Sequence, residues 1–185
     1  MRIVAGQYGG RRLETPKNRD IRPTSDKMRG AIFNALEARG VLSGARVLDC
    51  FCGTGALGLE ALSRGADHVS FWDKDKASLA LARQNAETLG AVGQCGFKLQ
   101  DTMRANDAKE GESSTLVFLD PPYRNSLVVP ALKELSGRGY LKDGACCILE
   151  MEKEHDPILS GSFTVQSEKI YGDSKVLIVS YAKNP

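Results

Sequence analysis

A glycine turn between a buried strand and a helix narrows the fold more than any other feature of this sequence. Val47-Leu48-Asp49 is an apolar run ending in an acid, and Gly53-Thr54-Gly55-Ala56-Leu57-Gly58 opens the helical pattern that follows. Glycine suits such a turn because it adopts dihedrals closed to other residues and lets a ligand approach the backbone. From Arg46 onward, short apolar runs alternate with helical patterns, which predicts βαβ units and a parallel sheet. The strand candidates are Arg46–Cys50, Val69–Asp73, Phe97–Gln100, Leu116–Asp120 and Cys146–Glu150. Leu116-Val117-Phe118-Leu119 is apolar without alternation, as expected of a strand covered on both faces. Between Asp75 and Gly90, Leu79, Ala82, Ala86 and Leu89 recur at helical spacing, and Gly90 is a natural stop. Ser126 to Ser136 predicts a further helix, ended by Gly137-Arg138-Gly139. Two last strands, near Phe163–Ile170 and Lys175–Ala182, are joined by Tyr171-Gly172-Asp173-Ser174. So short a turn implies an antiparallel hairpin and a mixed sheet.

The first forty residues read differently. Ile3–Ala5 and Arg11–Glu14 flank Gly6, Gly9 and Gly10, which predicts a small hairpin. Thr24 follows Pro23 and can cap a helix running to about Arg39, with Met28, Ala31, Ile32, Ala35 and Leu36 on its apolar face. Arg29 falls off that stripe. Residues 1–40 are therefore expected to be a basic hairpin-and-helix extension of the same compact unit as the α/β domain, 41–185. The net charge of +2 hides an asymmetry here. Residues 1–30 carry eight basic residues against three acidic ones, a surplus of +5 that leaves −3 elsewhere. Such a segment fits a polyanion, although a solvated basic face fits the charge equally well.

Composition excludes several classes. No apolar run approaches bilayer length, and Met1–Gly10 has no apolar core, so a secretory signal is not expected. The five cysteines, Cys50, Cys52, Cys95, Cys146 and Cys147, include no C-x-x-C pair. They read as reduced thiols of a cytoplasmic protein. Cys50 and Cys52 are expected to be small packing residues. His68 and His155 stand alone, so no metal is expected.

The chemistry-bearing residues lie at strand ends. The helix after the glycine turn offers backbone N–H groups to an anion, and Asp73 can accept hydrogen bonds from ribose hydroxyls. By itself this is also a dinucleotide fingerprint, and an NAD-dependent oxidoreductase reads the same turn. Asp49 favours a ligand carrying an ammonium, such as the methionine end of S-adenosylmethionine, over a pyrophosphate. Asp120-Pro121-Pro122-Tyr123 has no part in hydride transfer. It suits methylation of an exocyclic base amine, whose lone pair is delocalised into the ring. Asp120 and a proline-flanked carbonyl can accept from the amine, and Tyr123 can stack on the base. The residues alone leave open an adenine-N6 DNA methyltransferase and a non-catalytic RNA-binding module.

Read together with their flanks, these motifs resemble a known family. Asp120-Pro121-Pro122-Tyr123, Arg2-Ile3-Val4-Ala5-Gly6, Arg22-Pro23-Thr24, Arg29-Gly30-Ala31-Ile32-Phe33-Asn34 and Tyr171-Gly172-Asp173 are similar to segments of the bacterial RsmD-type enzymes. Those enzymes methylate N2 of a guanine in small-subunit (16S) ribosomal RNA. The resemblance runs from Arg2 to about Tyr181 and implies a class I, Rossmann-like methyltransferase fold with a seven-stranded mixed sheet. It implies S-adenosylmethionine as methyl donor, S-adenosylhomocysteine as product, and ribosomal RNA, free or in a small-subunit particle, as substrate of a monomeric enzyme. The family's cofactor positions fall on Asp49, Gly53, Gly55, Asp73 and Asp101, with Cys52 and Lys74 beside them. Its catalytic positions fall on Asp120, Pro121, Pro122 and Tyr123. Arg2, Arg11, Arg12, Arg22, Thr24 and Arg29 are the expected RNA contacts. Cys50-Phe51-Cys52-Gly53 stands where members read Leu-Phe-Ala-Gly, and Gly30 where Glu is usual.

Overall fold

The computed structural model describes residues 1–16, 26–122 and 127–183. Helix α1 (Asp26–Ala38) precedes an alternation of β1 (Arg46–Cys50), α2 (Ala56–Ser63), β2 (His68–Asp73), α3 (Lys76–Leu89) and β3 (Cys95–Leu99). Strand β4 (Ser114–Leu119), helix α4 (Val128–Gly137) and strand β5 (Leu141–Glu152) follow, and β6 (Phe163–Tyr171) with β7 (Ser174–Tyr181) closes the chain. The strands form one sheet in the order β3-β2-β1-β4-β5-β7-β6. Strands β1 to β5 pair in parallel, and β7 runs antiparallel to both β5 and β6. The mixed sheet expected from the short Tyr171–Ser174 turn is present, with Tyr171 opposite Ser174. Strand β5 begins at Leu141 rather than Cys146, because exposed Lys142, Asp143 and Gly144 hide its first half from any apolar pattern.

The central strands are apolar throughout because both faces are covered. Val47, Leu116, Phe118 and Ile148 pack with residues of α1, α2 and α3 on one face. Leu48, Val117, Leu119 and Leu149 pack with residues of α4 on the other. Phe33 of α1 meets Phe118 with ring centroids 5.5 Å apart. Burying each such side chain contributes roughly 1.5–3 kcal/mol. Helix α3 is well delimited: Asp75 accepts from the N–H groups of Ala77 and Ser78, and Gly90 closes the far end with φ +74°.

The N-terminal segment is held less by its own hairpin than by the domain. The expected small hairpin forms: Arg2 bridges Arg12, and backbone N–H groups of Ile3, Gly10 and Leu13 donate to the carbonyls of Arg11, Ile3 and Met1 at 2.9, 2.9 and 3.0 Å. Other donors of the segment go to the domain: the N–H groups of Val4 and Ala5 donate to Glu60 at 2.6 and 3.1 Å, and that of Glu14 to Asn85 at 2.7 Å. Glu60 lies on α2 with no exposed surface. It also accepts from Arg64 Nε at 2.8 Å and lies 3.6 Å from Arg29 Nε. Gly6, at φ +83°, passes so close to the end of α2 that an added Cβ would lie 1.9 Å from the Ser63 carbonyl oxygen.

Arg29 corrects an expectation. It is one of the expected RNA contacts, yet it has no exposed surface. Its guanidinium donates to the Arg2 carbonyl and pairs with Asp26 at 2.9 Å and with Glu60. A buried acid on the neighbouring helix turned an apparently polar helix position inward. Removing one member of a buried ion pair strands the other's charge. Glu60→Ala is therefore expected to cost about 3–5 kcal/mol in urea denaturation, far more than an exposed substitution.

Candidate active site

The glycine turn is built from left-handed residues. Phe51, Gly53 and Gly55 have φ of +59°, +53° and +75°. A phenylalanine in this region is strained, a condition common at functional sites. The three glycines of Gly53-x-Gly55-x-x-Gly58 do different work. A Cβ on Gly58 would lie 2.4 Å from Phe71 Cε1, and one on Gly55 3.1 Å from the Ala82 Cβ. Both glycines therefore serve the close packing of α2 and the turn on their neighbours. A Cβ added to Gly53 would meet nothing closer than 4.0 Å, which leaves that side of the turn open for a ligand.

Acidic side chains fix the turn. Asp49 is 1% exposed and accepts from the Gly58 N–H at 2.9 Å. Burial pushes its carboxyl up to about 8; the Gly58 hydrogen bond opposes the rise and the charge of Asp73 adds to it. Asp73 accepts from the Gly53 N–H at 3.0 Å and from the Asp75 N–H at 2.9 Å. Asp101 accepts from the Met103 N–H at 3.0 Å. Asp49, Asp73 and Asp101 thus stand at or just beyond the C-terminal ends of β1, β2 and β3, along one edge of the sheet. Lys74 is exposed beside them. Cys50 and Cys52 are buried packing residues whose thiols burial drives upward.

The second half of the site lies across the point where strand order reverses, between β1 and β4. Open α/β sheets bind their ligands in the crevice at such a point. Asp120 follows β4 directly, and its carboxyl is raised well above the usual range by burial, then by the charges of Glu150 and Asp49. Pro121 is buried and Pro122 exposed, while Tyr123 lies outside the described residues. Glu150, on β5 and 5% exposed, was missed by sequence reasoning. Its signal was an ionisable residue inside the apolar run Cys146-Cys147-Ile148-Leu149 and Met151. Among the described residues, no group of three or more His, Cys, Asp or Glu is placed to hold a metal ion.

The expected RNA contacts divide. Arg12 is exposed, and Arg2 is exposed with its guanidinium 3.4 Å from Asp26. Arg11 is exposed, but its guanidinium donates to the carbonyls of Thr88 and Leu89 and so caps the C-terminal end of α3. Arg29 is buried, as described above. Arg22 and Thr24 lie outside the described residues.

Asp49 gives the site a measurable pH dependence. Its folded value, about 8, lies above the ordinary carboxylate value, so the folded state holds a proton that the unfolded chain has already lost. The stability it contributes is full below the ordinary value and is lost as pH rises through the folded one. Asp49→Asn, which cannot titrate, is expected to remove this part of the decline in stability between about pH 5 and about pH 8. Parallel thermal melts of the two proteins measure it; identical pH slopes would refute it.

The comparisons with known proteins agree with this geometry. The family described as "Conserved hypothetical protein 95" matches residues 1–180. Ribosomal RNA small subunit methyltransferase D of Escherichia coli is 36% identical over 173 residues, 93% of this chain and 85% of that protein. The Haemophilus influenzae protein of the same name is 32% identical over 187 residues, 98% of this chain and 91% of its own length. The solved structure of yhhF from Escherichia coli superposes with a TM-score of 0.85 at 34% identity, covering 98% of each chain. An RNA methyltransferase from Salinibacter ruber, solved with S-adenosylhomocysteine, shares the fold at a TM-score of 0.63 and 18% identity, covering 94% of this chain and 96% of its own. With the family match spanning nearly its whole length, this chain belongs to the Conserved hypothetical protein 95 family, the family of the RsmD-type enzymes.

Proposed function

We propose that the chain is an S-adenosylmethionine-dependent ribosomal RNA methyltransferase whose acceptor is the exocyclic N2 amine of a guanine in small-subunit rRNA. The observation that carries this reading is the placement of Asp120-Pro121-Pro122 at the end of β4, directly across the strand-order reversal from the glycine turn. The names of its relatives support ribosomal RNA as the substrate. No helix among the described residues is long and apolar enough to cross a membrane, and a monomer working in the cytoplasm fits this role.

The residues suit the cofactor. The open side of Gly53 admits a ligand against the backbone, and Asp73 stands where a ribose would lie. Asp49 lies beneath the turn, where an ammonium would favour its ionised form. Cys52, Gly55, Lys74 and Asp101 complete the proposed cofactor wall. When bound, S-adenosylmethionine supplies a methyl group activated on a sulfonium. Asp120 and the backbone of the Pro121-Pro122 pair then accept hydrogen bonds from the amine, which aims its lone pair. The methylated nitrogen loses its proton after the transfer. Tyr123 is the proposed stacking platform. Exposed Arg12 and Arg2, with Arg22 and Thr24, are proposed to meet the RNA backbone.

The test is methyl transfer to small-subunit rRNA followed by nucleoside analysis. N2-methylguanosine is the expected product, and methyl on adenine N6 or on DNA would overturn the reading. Asp120→Ala is expected to lower turnover about 100-fold or more while S-adenosylhomocysteine binding persists in calorimetry. Arg12→Glu should weaken RNA binding and lower the slope of log affinity against log salt by about one. Arg11→Glu should instead destabilise the end of α3.

A further inference from the structure

Glu150 is the buried acid of β5, and the proposed mechanism leaves it unused. Strands β4 and β5 run parallel with Leu119 opposite Leu149. One step further along, Asp120 and Glu150 stand side by side, on strands roughly 4.8 Å apart. Side chains alternate along a strand, so both acids share the face of Phe118 and Ile148, the face covered by α1 to α3. Asp49 of β1 lies on that face too, opposite Phe118. After burial, the charge of Glu150 is the largest influence raising the Asp120 carboxyl, which places the two groups within electrostatic reach. The neighbour of Glu150 is the Asp-Pro-Pro turn, the point at which the acceptor base must arrive.

We propose that Glu150 selects the acceptor base, accepting a hydrogen bond from guanine N1–H while Asp120 accepts from the adjacent N2 amine. This proposal rests on the guanine-N2 reading above. A guanine presents two neighbouring donors on this edge, N1–H and N2–H, and two acids on adjacent strands match them. Adenine presents its amine beside an N1 lone pair, which a carboxylate repels. Glu150 thus both orients the guanine and discriminates against a base with an acceptor at N1.

The probe is 2-aminopurine, which keeps the same exocyclic amine but has a lone pair at N1 in place of N1–H. Small-subunit rRNA is ligated from a synthetic segment carrying guanine or 2-aminopurine at the mapped position, and methyl transfer by the full-length protein is measured on both. The wild-type protein is expected to prefer guanine by about 10- to 100-fold in kcat/KM, the worth of one hydrogen bond to a charged group. Glu150→Gln, whose amide can donate to the N1 lone pair, is expected to erase or reverse that preference with S-adenosylhomocysteine affinity unchanged. Equal rates on both bases by the wild type, or an unchanged preference in Glu150→Gln, overturn the proposal. Should Glu150→Gln be too unstable to purify, Glu150→Asp is read the same way: its shortened carboxylate should cut the preference, and an unchanged ratio counts against the role. Methyl mapped to an atom other than N2 overturns the acceptor reading and this proposal with it. Methyl on N2 without dependence on N1–H overturns the role of Glu150 alone.

Discussion

The approach of α2 to β2 constrains everything around the site. At Gly58 the helix lies so close to Phe71 and Val69 that no side chain fits between them. This closeness brings the first turn of α2 over the end of β1, where Asp49 receives the Gly58 N–H. The chain must then reverse between Cys50 and Ala56, and it does so through three left-handed residues. The carboxylate of Asp73 secures the turn from β2 by accepting from Gly53. A ligand site thus follows from one helix–strand distance, with glycine spent on packing at two positions and on access at the third.

The N-terminal segment depends on a different kind of interaction. A small isolated hairpin has little stability of its own. Here its backbone donors are taken up by side chains of the domain: Val4 and Ala5 by Glu60, Tyr8 by Ser63, Glu14 by Asn85. Asn85 also donates to the Thr54 carbonyl within the glycine turn, so segment and turn share one buried amide. Charge that would be costly to bury alone is tolerated because Glu60 meets two backbone donors and two guanidinium groups.

The sequence made much of this visible for identifiable reasons. Strands covered on both faces leave uninterrupted apolar runs, so the positions of β1, β2 and β4 could be read within a residue or two. Asp75 and Gly90 announced the ends of α3 through capping chemistry. The first half of β5 was hidden because its Lys142-Asp143-Gly144 stretch is exposed. The burial of Arg29 was not legible, because helical periodicity shows only an apolar stripe and not an acid offered by a neighbouring helix. Glu150 escaped notice because strand pairing, which only the fold reveals, puts it beside Asp120.

The arrangement of the acids has a consequence for how this sequence can change. Apolar residues line both faces of β4 and β5, so a one-residue shift in the pairing would bury nearly the same hydrocarbon as before. Hydrophobicity alone therefore scarcely distinguishes the native alignment from its neighbour. The carboxyl groups do distinguish it, because a shift by an odd number of residues would send Asp120 or Glu150 into the apolar layer beneath α4, away from the crevice. Parity along these two strands is thus enforced by the groups proposed to carry the chemistry. Single-residue insertions or deletions there should be far rarer than even-numbered ones that keep the acids on their shared side.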